Sequence, residues 1–272
     1  LEVAYPHLDN ITLYRPLADG QFLEEKAGDQ LPFHVRSIQY RNFIFPLEKE
    51  GGIYYMSFET SGSLRIPLKV WSSLHFTEKT HLEEGILGMF YGALLIMLIY
   101  HLLLYIGVRD PIYSNYVVFL GVFILFQFTF SGLAFQYLWQ DEVWWANQSV
   151  PFLLGLLFIS MLRFTRSFLQ TSHHLPDFDR LLLGIIFVST MSLFISIFGD
   201  YSLAIKITTI TSIVAAVLMI IAGLIYSLKR YHAAYYYLIA NLAFLLGAGT
   251  LGLLSLGLLP QHFLTEWSLQ IG

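Results

Sequence analysis

The sequence predicts a membrane all-α helical bundle, with six complete spans and the start of a seventh, preceded by part of an antiparallel β-sandwich. Three observations support this fold class. Hydrophobic residues make up 56% of the 272 residues and charged residues only 12%, whereas soluble domains have about 25% charged residues. The charges are concentrated in residues 1–84, with eight of the 15 basic and 12 of the 19 acidic residues. Long apolar runs fill the remainder.

Composition also excludes several classes of function. The chain has no cysteine, which excludes disulfides, cysteine-based metal sites and thiol nucleophiles. Its net charge is −4 and no basic stripe is visible, so nucleic acid is not expected as a partner. No cofactor is expected.

The N-terminal segment alternates with the period of β-strands. In the run 63–73, one face carries Leu64, Ile66, Leu68 and Val70, and Trp71 lies on the other. The run 52–60 alternates in the same way, with Tyr55 on the wet face. A period of two indicates one buried and one solvated face. Three more runs are strand-like: 11–17, 21–26 and 34–45.

These five or so strands have short connections, which favours antiparallel pairing. A sheet with one apolar face needs a second layer to cover it, and the segment offers none. We therefore interpret it as the later part of a β-sandwich whose first strands precede Leu1. A complete small barrel is the alternative.

Six apolar runs follow, each close to the 20 residues needed to cross a bilayer. They cover residues 85–108, 112–138, 150–169, 181–198, 203–228 and 233–259. Residues 261–272 are interpreted as the opening of a seventh helix. The predicted organisation is thus a β domain at 1–76, a linker at 77–84 and the membrane region at 85–272.

Loop charge predicts the orientation of the spans. Six basic residues follow the first, third and fifth runs: Arg109, Arg163, Arg166, Arg180, Lys229 and Arg230. Only Lys206 lies near the opposite ends. Basic residues mark the cytoplasmic side, so these six are predicted to be cytoplasmic anchors and the β segment lies outside. Trp139, Trp144 and Trp145 agree, because tryptophan favours the membrane interface.

Three polar residues fall within the spans, namely His101, Gln127 and Asn241. Such residues are candidates for a functional site, but hydrogen bonding between helices is the favoured interpretation. Arg163 and Arg166 are predicted to anchor the third helix at lipid headgroups.

Several alternatives concern charged and aromatic side chains near the membrane. Arg166 or its neighbour Arg163 could instead pair with Asp177 or Asp179. His173 and His174, although near these acids, fit no standard zinc spacing.

In the β segment, Tyr55 and Trp71 are weak candidates for stacking against a sugar. Contact with missing strands or with the membrane surface is favoured for both. Asp29 and Arg36 are expected to brace the sandwich by pairing with each other.

An ordered series of motifs accompanies these features. It comprises Gly88-Met89-Phe90-Tyr91-Gly92, Tyr100-His101-Leu102, Arg109-Asp110-Pro111-Ile112-Tyr113 with Tyr116, Gly132 and Tyr137-Leu138-Trp139, Asn147, and Phe164, Phe168 and Leu169. The β segment adds Leu13-Tyr14, Gly28-Asp29, Pro32, Arg36 and Tyr54-Tyr55. Together they resemble the bacterial seven-transmembrane receptors with diverse intracellular signalling modules. His101 departs from the pattern, because the family more usually has Asn there.

The resemblance implies an extracytoplasmic β-sandwich that binds carbohydrate or another small ligand. It further implies helices that connect to a cytoplasmic output module, such as a cyclase or kinase, which is missing from this chain and could bring about a homodimer. We therefore expect a multi-pass sensory receptor of the bacterial inner membrane, with a periplasmic N-terminal domain and no enzymatic activity of its own. The lipid bilayer and an unidentified ligand are its expected partners. A transporter or channel with an extracytoplasmic β domain is the alternative.

Overall fold

A computed structural model describes residues 1–17, 20–48, 52–229, 231–255, 259–260 and 262–271. It divides into two compact units. The first, called here the β-rich unit, comprises residues 1–87 and 127–150, and the second, the helical unit, comprises residues 88–126 and 151–272.

The β-rich unit contains two three-stranded sheets. The strands are β1 (Glu2–Val3), β2 (Asn10–Pro16), β3 (Phe22–Ala27), β4 (Phe43–Ile44), β5 (Tyr55–Glu59) and β6 (Leu68–Lys69). One sheet has the order β4-β1-β6 and the other β3-β2-β5, and each resolved pairing is antiparallel. Val3 and Phe43 of the first sheet share a buried core with Ile11 and Leu13 of the second. Two sheets facing one core form a sandwich, as predicted. Both layers come from residues 2–69, so the expectation that this segment offers no second layer was wrong.

Strand β5 confirms the alternation expected of it. Met56 and Phe58 pack against the core while Tyr55, Ser57 and Glu59 are exposed. The two-residue strand β1 was missed, because it is too short to show a period.

The prediction of a strand over 34–45 was wrong. A single turn of 3₁₀ helix at Phe33–Val35 and the short strand β4 occupy this stretch. The buried Arg36 explains the difference, because its Nη1 donates to the main-chain oxygens of Tyr40 and Arg41, at 2.8 and 3.0 Å. The chain curls around the guanidinium, and an extended strand is excluded there.

The buried face predicted for residues 63–73 was also wrong. Only Leu68–Lys69 is strand, and it pairs with β1 alone among the described residues. The alternating apolar side chains are exposed, whereas Pro67 is buried. The alternation in this run therefore does not mark a buried face.

Among the described residues, six helices are long and apolar enough to cross a membrane, in agreement with the six predicted spans. They are α1 (Ser73–Val108), α2 (Pro111–Phe130), α4 (Val143–Leu169), α6 (Pro176–Phe198), α7 (Tyr201–Leu228) and α8 (His232–Ser255). Short helices follow three of them: α3 (Leu133–Tyr137), α5 (Thr171–His174), and, near the C-terminus, α9 (Phe263–Glu266) and α10 (Ser268–Ile271). Residues 77–84, predicted as a linker, are helical and belong to α1.

Two boundaries have clear local causes. Helix α1 begins after Ser72, whose Oγ accepts a hydrogen bond from the amide of His75 at 3.3 Å, a typical N-cap. Helix α2 ends at Phe130, eight residues before the predicted end, because Gly132 has φ +80°. A Cβ at Gly132 would lie 2.8 Å from Pro6 Cβ, so this left-handed turn and close approach require glycine.

Residues 127–150 belong to the same unit as the sheets and pack on the connection between β3 and β4. The amide of Phe33 donates to Gln140 O at 2.9 Å, and Asn147 Nδ2 donates to Asp29 O at 3.0 Å. The ring of Phe33 also packs edge-to-face on Phe135, with centroids 5.5 Å apart. The segment between α2 and α4 is therefore part of the structured β-rich unit.

Candidate functional site

A cavity of about 350 Å³ lies beside Trp71 in the β-rich unit. We call it the Trp71 cleft, and its walls include Ile44, Phe45, Val70, Trp71, Phe76 and Thr77. Binding sites for small molecules are typically about 300–1,000 Å³, apolar in lining with a few polar groups. The hydroxyl groups of Ser72, Ser73 and Thr77 supply such polar groups here. The cleft can hold a compound of the size of a sugar.

The indole of Trp71 is held in place by a hydrogen bond. Its Nε1 donates to Glu2 Oε2 at 2.7 Å, and the residue is 36% exposed. A polar tip bound on one side and an apolar ring at a cavity wall suit an aromatic binding residue.

Tyr55, the other weak candidate, lies elsewhere. It is 56% exposed on β5, in the other sheet, and its ring packs edge-to-face on Phe22 at 5.6 Å. It does not belong to the lining of the Trp71 cleft. The structure does not bring Tyr55 and Trp71 together in one site, and a ligand role for either stays a prediction.

Glu2 is the centre of a buried polar network. It is fully buried and accepts hydrogen bonds from Trp71, from Asn42 Nδ2 and from Lys79 Nζ, each at 2.7 Å. Buried carboxylates are tolerated when charged and hydrogen-bonded partners surround them. Glu2 therefore joins the cleft, the loop before β4 and helix α1.

The network continues along α1. Lys79 also pairs with Glu83 at 3.1 Å, and Glu83 accepts hydrogen bonds from Arg41 Nη2 and from Tyr40 Oη, both at 2.8 Å. We refer to these seven residues, Glu2, Tyr40, Arg41, Asn42, Trp71, Lys79 and Glu83, as the Glu2 network.

Sequence reasoning missed the Glu2 network. The four-residue spacing of Lys79 and Glu83 places them on one helical face and was the available signal. It was obscured because residues 77–84 were interpreted as a linker.

A second polar feature is a very small cavity around Arg36. Its volume is about 10 Å³, and Asp29, Arg36 and Trp139 contribute to its walls. Asp29 Oδ1, Arg36 Nε and Nη2, and Trp139 Nε1 have no hydrogen-bond partner among the described residues. The space and the number of polar groups suit one ordered water molecule. Asp29 and Arg36 form no direct ion pair in the described part of the chain, although each charge influences the pKa of the other.

Burial shifts the pKa values of both Asp29 and Arg36. Burial raises the pKa of Asp29 to about 7, the charge of Asp9 adds to this, and Arg36 opposes it. Burial lowers the pKa of Arg36 to about 10. The guanidinium lies over the rings of Phe43 and Phe33, 4.3 and 4.5 Å from their centroids, and such contacts favour a desolvated cation.

The polar residues of the spans have mostly local partners. His101 Nδ1 donates to Met97 O within α1 at 2.8 Å, and its ring lies 4.4 Å from that of Tyr116 on α2. Asn241 is buried and donates to Tyr237 O at 2.9 Å. Gln127 is 1% exposed and lies in the β-rich unit. Their structural role, favoured from the sequence, stays a prediction.

The predicted anchors differ in their surroundings. Arg166 forms a bidentate ion pair with the buried Asp179, at 2.7 and 2.8 Å, as the alternative interpretation foresaw. Arg163 is exposed, and Arg180 pairs with Asp177 at 2.9 Å on the surface.

The other anchors lie at helix ends. Arg109 follows α1 with φ +58°, and Lys229 follows α7. Arg230 lies outside the described residues.

Comparison with known proteins agrees with the fold. The family model described as 7TM diverse intracellular signalling matches residues 83–272, and the model described as 7TMR-DISM extracellular 2 matches residues 1–72. No curated protein and no solved structure matches the chain. The two matched families lie in the order expected of a receptor, an extracellular domain followed by membrane helices. The chain therefore belongs to the 7TMR-DISM family of transmembrane signalling receptors.

Proposed function

We propose that this receptor binds a small ligand of the carbohydrate class in the Trp71 cleft, on the periplasmic side of the bacterial inner membrane. The size of the Trp71 cleft, its aromatic wall and its few hydroxyl groups support a carbohydrate ligand, since sugars present both apolar faces and hydroxyls. The membrane helices then carry the signal to a cytoplasmic output module. The chain itself acts as sensor and transmitter, and the output module supplies any enzymatic activity and a homodimeric arrangement.

The observation that carries the proposal is the hydrogen-bonded path from Trp71 through Glu2 to Lys79. Trp71 lines the cleft, whereas Lys79 belongs to α1, the first membrane helix. A ligand that displaces the indole of Trp71 removes a hydrogen bond to the Glu2 carboxylate. The same carboxylate accepts a hydrogen bond from the Lys79 ammonium, so the change reaches α1. A ligand shifts such an equilibrium only by its difference in affinity for the two states, so binding must favour one arrangement of the Glu2 network.

The experiment uses the full chain in nanodiscs and a panel of mono- and disaccharides. Binding is measured by thermal shift for the wild type, Trp71→Ala and Tyr55→Ala. We expect at least one sugar to stabilise the wild type and Tyr55→Ala equally, and Trp71→Ala to lose the effect. Loss in Tyr55→Ala alone would move the site to the β3-β2-β5 sheet and overturn the Trp71 assignment.

Transmission needs a separate readout. Since the chain has no cysteine, a single fluorophore on Val108→Cys at the end of α1 reports its environment. We expect a responding sugar to change this signal in the wild type and to leave it unchanged in Lys79→Met, which still binds. Transport of labelled sugar into vesicles would instead support the transporter interpretation.

A further inference from the structure

The β-rich unit contains a buried carboxyl group that the proposed function does not use, that of Asp29. Its Oδ1 has no hydrogen-bond partner among the described residues. Asp29 contributes to the walls of the small cavity described above, together with Arg36 and Trp139. Asp29 and Arg36 belong to the β3–β4 connection, whereas Trp139 lies between α3 and α4. The carboxyl group is therefore buried where the segment 127–150 packs on this connection.

The main chain of the same residue binds α4. Asn147 Nδ2, in the first turns of α4, donates to Asp29 O at 3.0 Å. We call the contact of residues 29–36 with residues 139–147 the Asp29 joint, and we call it closed when this hydrogen bond is made and the carboxyl group is buried. A movement of Asp29 that follows a change in its charge acts directly on the beginning of α4.

The charged groups around the Asp29 carboxyl come from residues 1–87. The charge of Asp9 raises the pKa of Asp29 and that of Arg36 lowers it. Arg41 lines the same cavity but is part of the Glu2 network. The wall residues contributed by the segment 127–150 are Thr129, Gly132, Phe135, Trp139 and Ala146. None of these five has an acidic or basic side chain.

Two neighbouring groups stay neutral. Burial lowers the pKa of His7, which lines the cavity and whose Nε2 donates to Phe130 O at 2.9 Å. Burial raises the pKa of Tyr5 to about 12, and the guanidinium of Arg65 lies over its ring, 5.0 Å from the centroid. Asp29 is therefore the group of this cluster that changes its charge close to neutral pH.

Ionisation of Asp29 is costly while the joint is closed. Burial raises the pKa of Asp29 to about 7, whereas a solvated aspartate has a pKa of about 3.9. The carboxyl group is thus neutral in the closed joint below about pH 7. By linkage, the closed joint is favoured in acid, and this preference is lost as pH rises from about 4 to about 7.

A second contact across the joint has the same dependence on pH. His34 Nδ1 lies 3.1 Å from Asp141 Oδ1, and the imidazole pairs as a cation only when it is protonated. Acid therefore strengthens this contact as well. Its contribution is the smaller one, because both side chains are exposed and surface pairs are weak.

We propose that the Asp29 joint is an acid-sensitive contact, which is closed when the Asp29 carboxyl is protonated and opens when it ionises. The segment 127–150 connects α2 with α4, so opening releases the beginning of α4 from the β3–β4 connection. The pH of the compartment around the β-rich unit thereby acts on the membrane helices. This input is a proton and does not depend on the sugar proposed for the Trp71 cleft.

The test measures a distance across the joint by EPR, on the full chain in nanodiscs. Because the chain has no cysteine, nitroxide labels can be placed on Leu23→Cys in β3 and Tyr137→Cys in α3, both exposed positions. We expect a single distance in acid. A second population with a longer distance should grow as pH rises from about 4 to about 7 and stay constant above that.

Three variants identify the titrating group. Asp29→Asn cannot ionise and should keep the shorter distance at every pH. Asn147→Ala loses the hydrogen bond to Asp29 O, so its joint is weaker from the start and should open at a lower pH than that of the wild type. Glu59→Gln is the matched control, because it removes an exposed carboxylate of β5, and it should open like the wild type.

Several outcomes would overturn the proposal. A distance in the wild type that does not change with pH would show that the joint does not open. Opening of Asp29→Asn over the same interval as the wild type would assign the titration to another group. Loss of the β-sheet circular dichroism together with the change in distance would indicate unfolding of the sandwich. If Asp29→Asn does not fold, Asn147→Ala decides, since opening at an unchanged or higher pH contradicts the proposal.

Discussion

Lys79→Met tests the Glu2 network, because it removes the only lysine that touches the buried Glu2 carboxylate. Glu2 would keep two neutral donors, from Trp71 and Asn42, but would lose its hydrogen-bonded lysine in a site without solvent exposure. Breaking a buried ion pair by removing one partner costs about 3–5 kcal/mol. Since the two neutral donors remain, we expect the lower end, about 3 kcal/mol.

Hydrogen exchange of the full chain in nanodiscs measures this effect locally. The amide of Ala4, which donates to Pro67 O at 2.9 Å, reports the opening of the sheet that holds Glu2. A change of about 3 kcal/mol lowers its protection by roughly 100-fold, since about 1.4 kcal/mol corresponds to tenfold.

The matched control is Lys26→Met. Lys26 pairs with Glu24 at 3.5 Å with its side chain 63% exposed, and such surface pairs contribute about 0–1 kcal/mol. The double variant Glu2→Gln with Lys79→Met should recover part of the loss, because the uncompensated charge is gone. Equal protection in Lys79→Met and Lys26→Met would refute the reasoning.

Three further predictions concern other parts of the chain. Because the folded-state pKa of Asp29 is raised to about 7, the stability contributed by its protonated form is present at low pH and is lost as pH rises from about 4 to about 7. The thermal midpoint of Asp29→Asn relative to that of the wild type should therefore rise over that interval and level off above it. A difference in midpoint that stays constant with pH would contradict this. Gly132→Ala should lower the thermal midpoint more than Gly20→Ala, since both have φ near +80° but only position 132 has a neighbour, Pro6, at 2.8 Å; equal effects would show that Pro6 moves aside. Arg166→Gln should destabilise the helical unit by about 3 kcal/mol, because it leaves Asp179 buried without its cation. Arg163→Gln, the control, should change the thermal midpoint little. Similar shifts of the thermal midpoint in the two variants would argue against the buried pair.

The six long helices could be predicted from the sequence because a hydrocarbon environment imposes one simple requirement, long apolar runs, that composition alone reveals. Their ends were less predictable. The boundaries at Gly132 and Ser72 depend on a backbone turn and on a side-chain cap, and neither changes the hydropathy of the run. The start of α1 was placed 12 residues late, since its first turns are polar and pack in the β-rich unit.

The β-rich unit was predicted only in outline. Alternation located β2, β3 and β5, which are long enough to show a period, but β1 and β4 have two residues each. The contacts of Glu2 in the Glu2 network could not be predicted, because those to Asn42 and Lys79 join residues 40 and 77 positions apart. Only the Lys79–Glu83 pair left a local signal, its four-residue spacing. Trp71 was recognised as a candidate from its residue type, whereas its partner Glu2 carries no local signal.

The contact between residues 127–150 and the β3–β4 connection has a consequence for the passage of the chain through the bilayer. A segment that shares a folded unit with the sandwich must be in the same aqueous compartment, so the chain returns to its starting side after its first two crossings. This inference uses only contacts within the β-rich unit and makes no use of the distribution of arginine and lysine.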